Sequence, residues 1–233
     1  ISGTPTGTAT GTYNYTLTAS NTAGTASVTF SGSMTVSSSN STSVSSPTIY
    51  FENGICKCPN ASVGDTATIS GTLYTVVNNT TIRNKIALGI NQNSTQNDAG
   101  DINLCTTKVT DMSSLFKDDY QIFNSNISFW DTSNVTSMKM MFAQARSFNQ
   151  DIGNWDVSNV LDMSYMFWYA DSFNQDIGGW DIRNVENISY IFWFAEAFNQ
   201  NISDWKLNSV TEMMGVFYNA KSFNQNINSW DVS

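Results

Sequence analysis

The 233 residues predict a mainly β chain with short helices: a half-buried antiparallel hairpin, a small hairpin-and-helix cap, and a solenoid. Three observations carry this. Phe123, Phe148, Phe173, Phe198 and Phe223 recur every 25 residues, each followed seven places on by Trp130, Trp155, Trp180, Trp205 or Trp230. A fixed period of this length marks an array in which each unit buries its apolar side only against its neighbours. The first 36 residues alternate apolar with Ser/Thr positions, and no charge precedes Glu52; period two is the mark of a half-exposed strand. All three cysteines, Cys56, Cys58 and Cys105, fall in the stretch between.

Composition removes several function classes. With a net charge of -9 and only ten Lys and Arg, no basic groove is available for a phosphate backbone, so no nucleic-acid partner is expected. The chain has no histidine, which takes away the usual triads, the usual zinc ligands and the commonest general base. No apolar run is long enough to cross a bilayer, and no signal peptide stands at Ile1. The chain starts inside a strand-like pattern and stops at Ser233, before the next turn of its own repeat. It reads as an excerpt of a longer protein.

In residues 1–36, Tyr13, Tyr15, Leu17 and Ala19 alternate with Thr12, Asn14, Thr16 and Thr18. Ala26, Val28, Phe30, Met34 and Val36 repeat the pattern, and Asn21–Gly24 joins the two as a hairpin. The segment ISGTPTGTATGTYNYTLTASNTAGTASVTFSGSMTV resembles the last strands of the Ig-like, cadherin-like modules of long bacterial surface proteins. That resemblance implies the C-terminal part of a β-sandwich whose facing sheet comes from preceding residues or from another chain. Residues 37–48, nearly all Ser, Thr and Asn, read as a flexible linker.

Residues 49–108 form the expected cap, since the raw apolar end of a solenoid must be closed. Ile49–Cys58 turns at Asn53-Gly54, a type I′ pair. A second hairpin runs from Thr66 to Val77 through Ser70-Gly71, and Thr80-Thr81 opens a short helix with Ile82, Ile86 and Leu88 or Ile90 inward. Ala99–Cys105 then reads as a first, degenerate row. Three cysteines in a chain of extracellular character suggest one disulfide pinning cap to row, assigned to Cys58–Cys105. Alternation along Cys-Lys-Cys lets only one of Cys56 and Cys58 face the stack, and the pattern does not settle which. Three thiols without histidine fit no common zinc pattern.

Within each repeat of residues 109–233 the period changes. Phe173, Gln175 and Ile177 alternate inward as on a strand, whereas Val160, Met163, Phe167 and Ala170 fall at helical spacing. Ser209-Val-Thr-Glu212 has the form of a helix capping box. Each unit is therefore expected to be strand, Trp-Asp corner and capped helical turn. The inward Gln150, Gln175, Gln200 and Gln225 need partners, and a glutamine ladder to one another or to backbone is expected.

FNQDIGNWDVSNVLDMSYMFWYADS and its companions resemble the BspA-like repeats of bacterial surface lipoproteins and adhesins, a divergent leucine-rich-repeat family. The similarity covers residues 109–233, and KCPNASVGDT with CTTKVTDMSSLF resembles sequences that precede such repeats. It implies an α/β leucine-rich-type solenoid, surface display, and attachment to host or matrix molecules. Trp205-Lys206 departs from the Trp-Asp of the other corners, which argues against a continuous metal row.

Two groups of residues can carry binding. The outward positions Asn149, Asp151, Asn174, Asp176, Asn199 and Asn201 stand in register and can take sugar hydroxyls or calcium, or simply ladder between rows. Tyr165, Trp168, Tyr190, Trp193 and Tyr218 form an aromatic column beyond what the inward set needs, which either is a contact surface for protein or for the face of a sugar ring or simply closes the helical layer ring against ring. No cofactor is expected, calcium being the one ion the outward carboxylates invite. The corner aspartates Asp131, Asp156, Asp181 and Asp231 are expected to bond turn amides. A carboxylate glycosidase using Asp151 and Asp176 lacks anything to shield the pair from water. The sequence thus points to a secreted or surface-displayed, non-enzymatic protein that attaches to an extracellular protein or glycan. Its rival is a structural subunit of an extracellular filament or sheath, binding copies of itself through the Ig-like segment.

Overall fold

The computed structural model describes residues 11–20, 27–36, 48–89, 102–117 and 121–232. The chain divides into two compact units, Ile1–Ser45 and Ser46–Ser233. The turn Asn21–Gly24, the linker through Ser46, Ile90, and the loop through Asp101 lie outside the described residues. The described part is mainly β and turn, with one short helix and no closed barrel.

The described residues of the first unit form one antiparallel ladder. Strand β1 (Gly11–Ser20) pairs along its whole length with β2 (Ser27–Val36), from Gly11 opposite Val36 to Ser20 opposite Ser27. The period-two pattern thus gives the two expected strands.

The second unit opens with two hairpins. Strands β3 (Tyr50–Glu52) and β4 (Ile55–Lys57) turn at Asn53 and Gly54, with φ of 50° and 83°. Strands β5 (Thr66–Ile69) and β6 (Thr72–Asn78) turn at Ser70 and Gly71, with φ of 51° and 85°. Positive φ at both central residues matches the twist of the flanking strands. Helix α1 (Asn79–Gly89) follows at once. It starts one residue before the expected Thr80, and Asn78 caps it: Asn78 Oδ1 accepts from the N–H groups of Thr80 and Thr81, and Thr81 Oγ1 accepts from the N–H of Asn78. Ile82 and Ile86 are buried as expected.

Strand β7 (Leu104–Lys108) pairs in parallel with β6, Val76 opposite Cys105, and so joins the cap sheet. It also serves as the expected degenerate first row: Trp130 gives its indole N–H to the Ile102 carbonyl at 3.0 Å, and Thr106 Oγ1 donates to the Asp131 carbonyl as Thr132 does to Asp156. Cys58 and Cys105 are joined by a disulfide with Cα atoms 6.2 Å apart, and Cys56 is a free thiol. All three cysteines are fully buried in one cluster. The expectation that only one of Cys56 and Cys58 could face the stack does not hold, because residues two apart on a strand share a face, and both are buried.

Beyond the cap, 25-residue units lie in parallel register. Single parallel bridges join Asp111, Ser137, Asp162, Asn187 and Glu212 in succession. Two columns of phenylalanine run through the core: Phe142, Phe167 and Phe192 with ring centroids 5.7 and 5.8 Å apart, and Phe148, Phe173 and Phe198 at 5.9 and 6.0 Å. Each tryptophan of the period gives its indole N–H to an isoleucine carbonyl one row back, as Trp180 does to Ile152 at 3.2 Å.

The inward set at Val160, Met163, Phe167 and Ala170 is buried as expected, but no helix forms there. A helix would spend each N–H on the carbonyl four residues earlier. Here Met163, Tyr165, Phe167 and Tyr169 donate to the carbonyls of Asn187, Ser189, Ile191 and Trp193 in the next row, at 2.9–3.0 Å. Met166, Trp168 and Ala170 close short turns onto Met163, Tyr165 and Phe167. The left-handed backbone at Tyr165 (φ 59°) and Tyr169 (φ 54°) makes this alternation work. Glu212 consequently caps no helix. It sits on the line of bridges and accepts a hydrogen bond from Asn187 Nδ2.

The Phe173–Ile177 side also departs from expectation, because it forms no strand. Phe173 and Ile177 are buried and Asp176 is exposed, so the alternation of faces is right. Side-chain amides replace the strand ladder. Asn149 Oδ1 accepts the backbone N–H of Asn174 at 2.9 Å, and Asn174 Oδ1 does the same for Asn199. The glutamine partner is likewise the asparagine one row back: Gln175 Nε2 donates to both Asn149 O and Oδ1.

Candidate functional site

The outward polar positions are engaged in holding the backbone. Asn149, Asn174 and Asn199 each accept a main-chain N–H from the following row at 2.8–2.9 Å. Asp151, Asp176 and Asn201 stay exposed and bend back onto their own rows, accepting the N–H of Gly153, Gly178 and Ser203. Such Asx turns fix the corner before each tryptophan. The described residues contain no cluster of three or more metal-ligating side chains.

The corner aspartates Asp131, Asp156 and Asp181 behave as expected, each accepting the N–H two residues on, as Asp156 does from Ser158; the residue two beyond Asp231 lies outside the described residues. Asp131 does more. It is 2% exposed and accepts from Lys57 Nζ at 2.8 Å, Thr107 Oγ1 at 2.7 Å and Ser133 Oγ at 2.7 Å. Burial alone would push its carboxyl up, but the hydrogen bonds from Lys57, Ser133 and Thr107 outweigh that and hold it below the ordinary value. This group ties the cap to the first repeat. Burial, and secondly the Asp131 charge, push the Cys56 thiol up to about 12.

The aromatic column differs in kind. Tyr165 stacks on Tyr190 with centroids 4.7 Å apart, and Trp168 on Trp193 at 5.9 Å. Tyr218 meets the edge of Trp193 at 5.9 Å and is 59% exposed. Trp168 and Trp193 are half-buried, as are Tyr165 and Tyr190. Burial, and then the neighbouring Tyr190, raise the Tyr165 hydroxyl above its ordinary value.

Two further rings belong here that the sequence reading missed. Tyr169 stacks on Phe194 at 4.4 Å, and Phe194 meets Tyr218 at 5.7 Å. The signal was the same 25-residue offset, one place beyond each tryptophan. Arg146 was missed too: its guanidinium lies 5.2 Å over the Tyr169 ring and pairs with Asp171 at 2.6 Å.

Two further features belong to this surface. Tyr165, Tyr169, Tyr190 and Phe194 all sit at positive φ, where the neighbouring rows carry Met140 and Gln144 or Gly215 and Asn219. Bulky side chains in the left-handed region cost on the order of 1–3 kcal/mol each. Among the described residues, the buried side-chain polar atoms without a hydrogen-bond partner are Ser164 Oγ, Trp168 Nε1 and Trp193 Nε1. All three lie on or beside the column, and unpaired buried polar groups are rare enough to demand a reason.

No curated protein matches the chain, and no solved structure does. The family model described as Mycoplasma protein of unknown function, DUF285, matches residues 89–199 and again residues 175–233, and the chain belongs to that family.

Proposed function

We propose that this is a non-enzymatic, BspA-like surface protein, displayed outside the cell, whose leucine-rich-type solenoid attaches to an extracellular protein or glycan through the aromatic column. The observation that carries it is the placement of Tyr165, Tyr169, Tyr190 and Phe194 at left-handed positions. Gly or Asn is the least strained choice there, as at Gly215 and Asn219, and where another row carries side chains, at Met140 and Gln144, they are flexible and not aromatic. The disulfide Cys58–Cys105 supports an oxidising compartment. The test is binding of the full chain to panels of matrix proteins and glycans, repeated with the Trp168→Ala/Trp193→Ala double variant. Loss of binding at an unchanged melting temperature supports the proposal. Undiminished binding by the double variant refutes it.

One observation favours a second reading, the filament or sheath subunit. β1 and β2 form a two-stranded sheet of ten residues each, and such a pair is marginal in water until further strands or a packing face complete it. Strand addition between Ig-like segments of neighbouring copies would supply them. Concentration-dependent polymers in light scattering, abolished by proline substitutions in β2, support this reading, and a monodisperse chain sinks it.

A further inference from the structure

We infer that the edge running from Met213 to Asn219 is a one-way docking edge: it takes a further row of the same 25-residue repeat, and neither a β-strand nor the equivalent edge of a second copy. This goes beyond the attachment reading and stands on how the rows are joined.

On this side of the stack the hydrogen bonds between rows run one way. Met163, Tyr165, Phe167 and Tyr169 donate forward to Asn187, Ser189, Ile191 and Trp193, and Ile188, Tyr190, Phe192 and Phe194 donate forward to Glu212, Met214, Val216 and Tyr218 at 2.7–3.1 Å. Each peptide that donates forward accepts from behind: Asn187 O receives the Met163 N–H, while Ile188, the other end of the same peptide, donates to Glu212. Four columns of peptide dipoles therefore point along the stack in one sense. At the cap, Arg83 of α1 closes the carbonyl ends of two columns, donating to Asp111 O at 3.2 Å and Ser113 O at 2.8 Å. At the other end, the N–H groups of Met213, Gly215, Phe217 and Asn219 hold the positions that donate forward in the rows before, and none has an acceptor among the described residues.

The other side of the same row offers acceptors. One row back, Asn199 Oδ1 takes the Asn224 N–H, Asn199 O and Oδ1 take Gln225 Nε2, and Ile202 O takes the Trp230 indole. Asn224 and Ile227 hold the same places next in line. Among the described residues Asn224 Oδ1 has no donor, and Ile227 O has only the Trp230 N–H of its own turn. Met214, Tyr218 and Val232 are exposed beside them, with Phe217, Phe223 and Trp230 half-buried.

This pattern selects the occupant. A second copy turned end to end sets N–H against N–H and amide oxygen against amide oxygen. From its cap, a copy offers carbonyls already bonded to Arg83. A β-strand edge sets an N–H between successive outward carbonyls, and against a donor-only edge those groups are buried without an acceptor. A row of the repeat answers every group: four carbonyls at two-residue spacing for the open N–H groups, an Asn-Gln pair for Asn224, and an indole for Ile227. Its rings also continue the columns that Phe217, Phe223 and Trp230 carry on from Phe192, Phe198 and Trp205. The contact is the one each row already makes with the next.

Amide exchange read residue by residue by NMR tests this, on the chain as it is and on the chain extended after Ser233 by a copy of residues 184–208, which keeps the register. In the chain as it is, the amides of Met213, Gly215, Phe217 and Asn219 are expected to exchange freely at about 10 μM and about 500 μM alike, with Ile188, Tyr190, Phe192 and Phe194 protected. In the extended chain the four should slow by about a hundredfold or more. Alanine in place of the glutamine and tryptophan of the added row should undo at least about tenfold of that protection. Protection that rises with concentration in the unextended chain would mean that a second copy covers the edge. Unchanged exchange in the extended chain, with Ile188 to Phe194 still protected, would mean that the edge does not select a row. Equal protection by residues 11–36 appended in place of the row would mean that a β-hairpin serves as well. Each of these three results overturns the inference.

Discussion

Replacing Asn174 by alanine is expected to destabilise the repeat stack far more than its half-buried, polar setting suggests. Its Oδ1 accepts the Asn199 N–H at 2.9 Å and Gln200 Nε2 at 2.9 Å. Gln200 keeps a second bond to the Asn174 carbonyl at 2.8 Å, so only the Asn199 N–H is orphaned. About 1 kcal/mol for each lost bond, with some desolvation of that N–H, gives about 2–3 kcal/mol. For a chain of this size that is a fall in Tm of roughly 4–12 °C. Only the oxygen of Asn174 takes part in these bonds, so Asn174→Asp preserves both acceptor contacts and should stay within about 0.5 kcal/mol of the wild type at pH 7. Thermal unfolding followed by circular dichroism separates the two variants. Equal melting of the alanine and aspartate variants would refute the side-chain ladder as the link between rows.

Three other outcomes follow from the cap. Cys58→Ser opens a loop of sequence separation 47, worth about 4 kcal/mol by chain entropy; an unchanged melt under non-reducing conditions would show that the bridge does not hold the cap. The Cys56 thiol, pushed up to about 12, stays protonated and should resist thiol reagents at pH 8 until denaturant is added. Its pKa is raised on folding, so its contribution is complete below the unfolded value near 9 and falls away as the pH rises towards 12; prompt labelling of the native chain contradicts the burial. Asp131 is held below its ordinary value, so its contribution is present above pH 4 and is lost as the pH falls through the folded value. Asp131→Asn, leaving Lys57 without its carboxylate, should cost about 2–3 kcal/mol at pH 7, and the gap from wild type should narrow as the pH falls from about 4 through the lowered folded value. A gap that does not narrow with falling pH while the wild type stays folded would assign the loss to packing instead of charge.

Periodicity made the inside of the stack legible. Phe173 and Ile177, and Val160, Met163, Phe167 and Ala170, are buried as their spacing requires. Spacing says which side chains turn inward, however, and nothing about which carbonyl each N–H will find. Two overlapping turns with left-handed residues at Tyr165 and Tyr169 bury the same positions as a helix would. Gly215 and Asn219, at the equivalent places, were the one hint of this in the sequence. The asparagines of Phe-Asn-Gln were visible as a column, but an amide oxygen serving a neighbouring row's backbone leaves no trace in one row alone. Of the aromatic column, Tyr165, Trp168, Tyr190, Trp193 and Tyr218 could be named from the repeat. Tyr169 and Phe194 were hidden because each adjoins a tryptophan and reads as its packing neighbour.

Hydroxyl-radical footprinting of the chain, free and bound to the matrix protein or glycan that retains it, tests the attachment surface most directly. Protection is expected at Tyr165, Trp168, Tyr190, Trp193 and Tyr218, with Tyr13 and Tyr15 of β1 unchanged. Protection confined to Tyr13 and Tyr15, with the column as reactive as in the free chain, would contradict attachment through the column and put assembly through the first unit in its place.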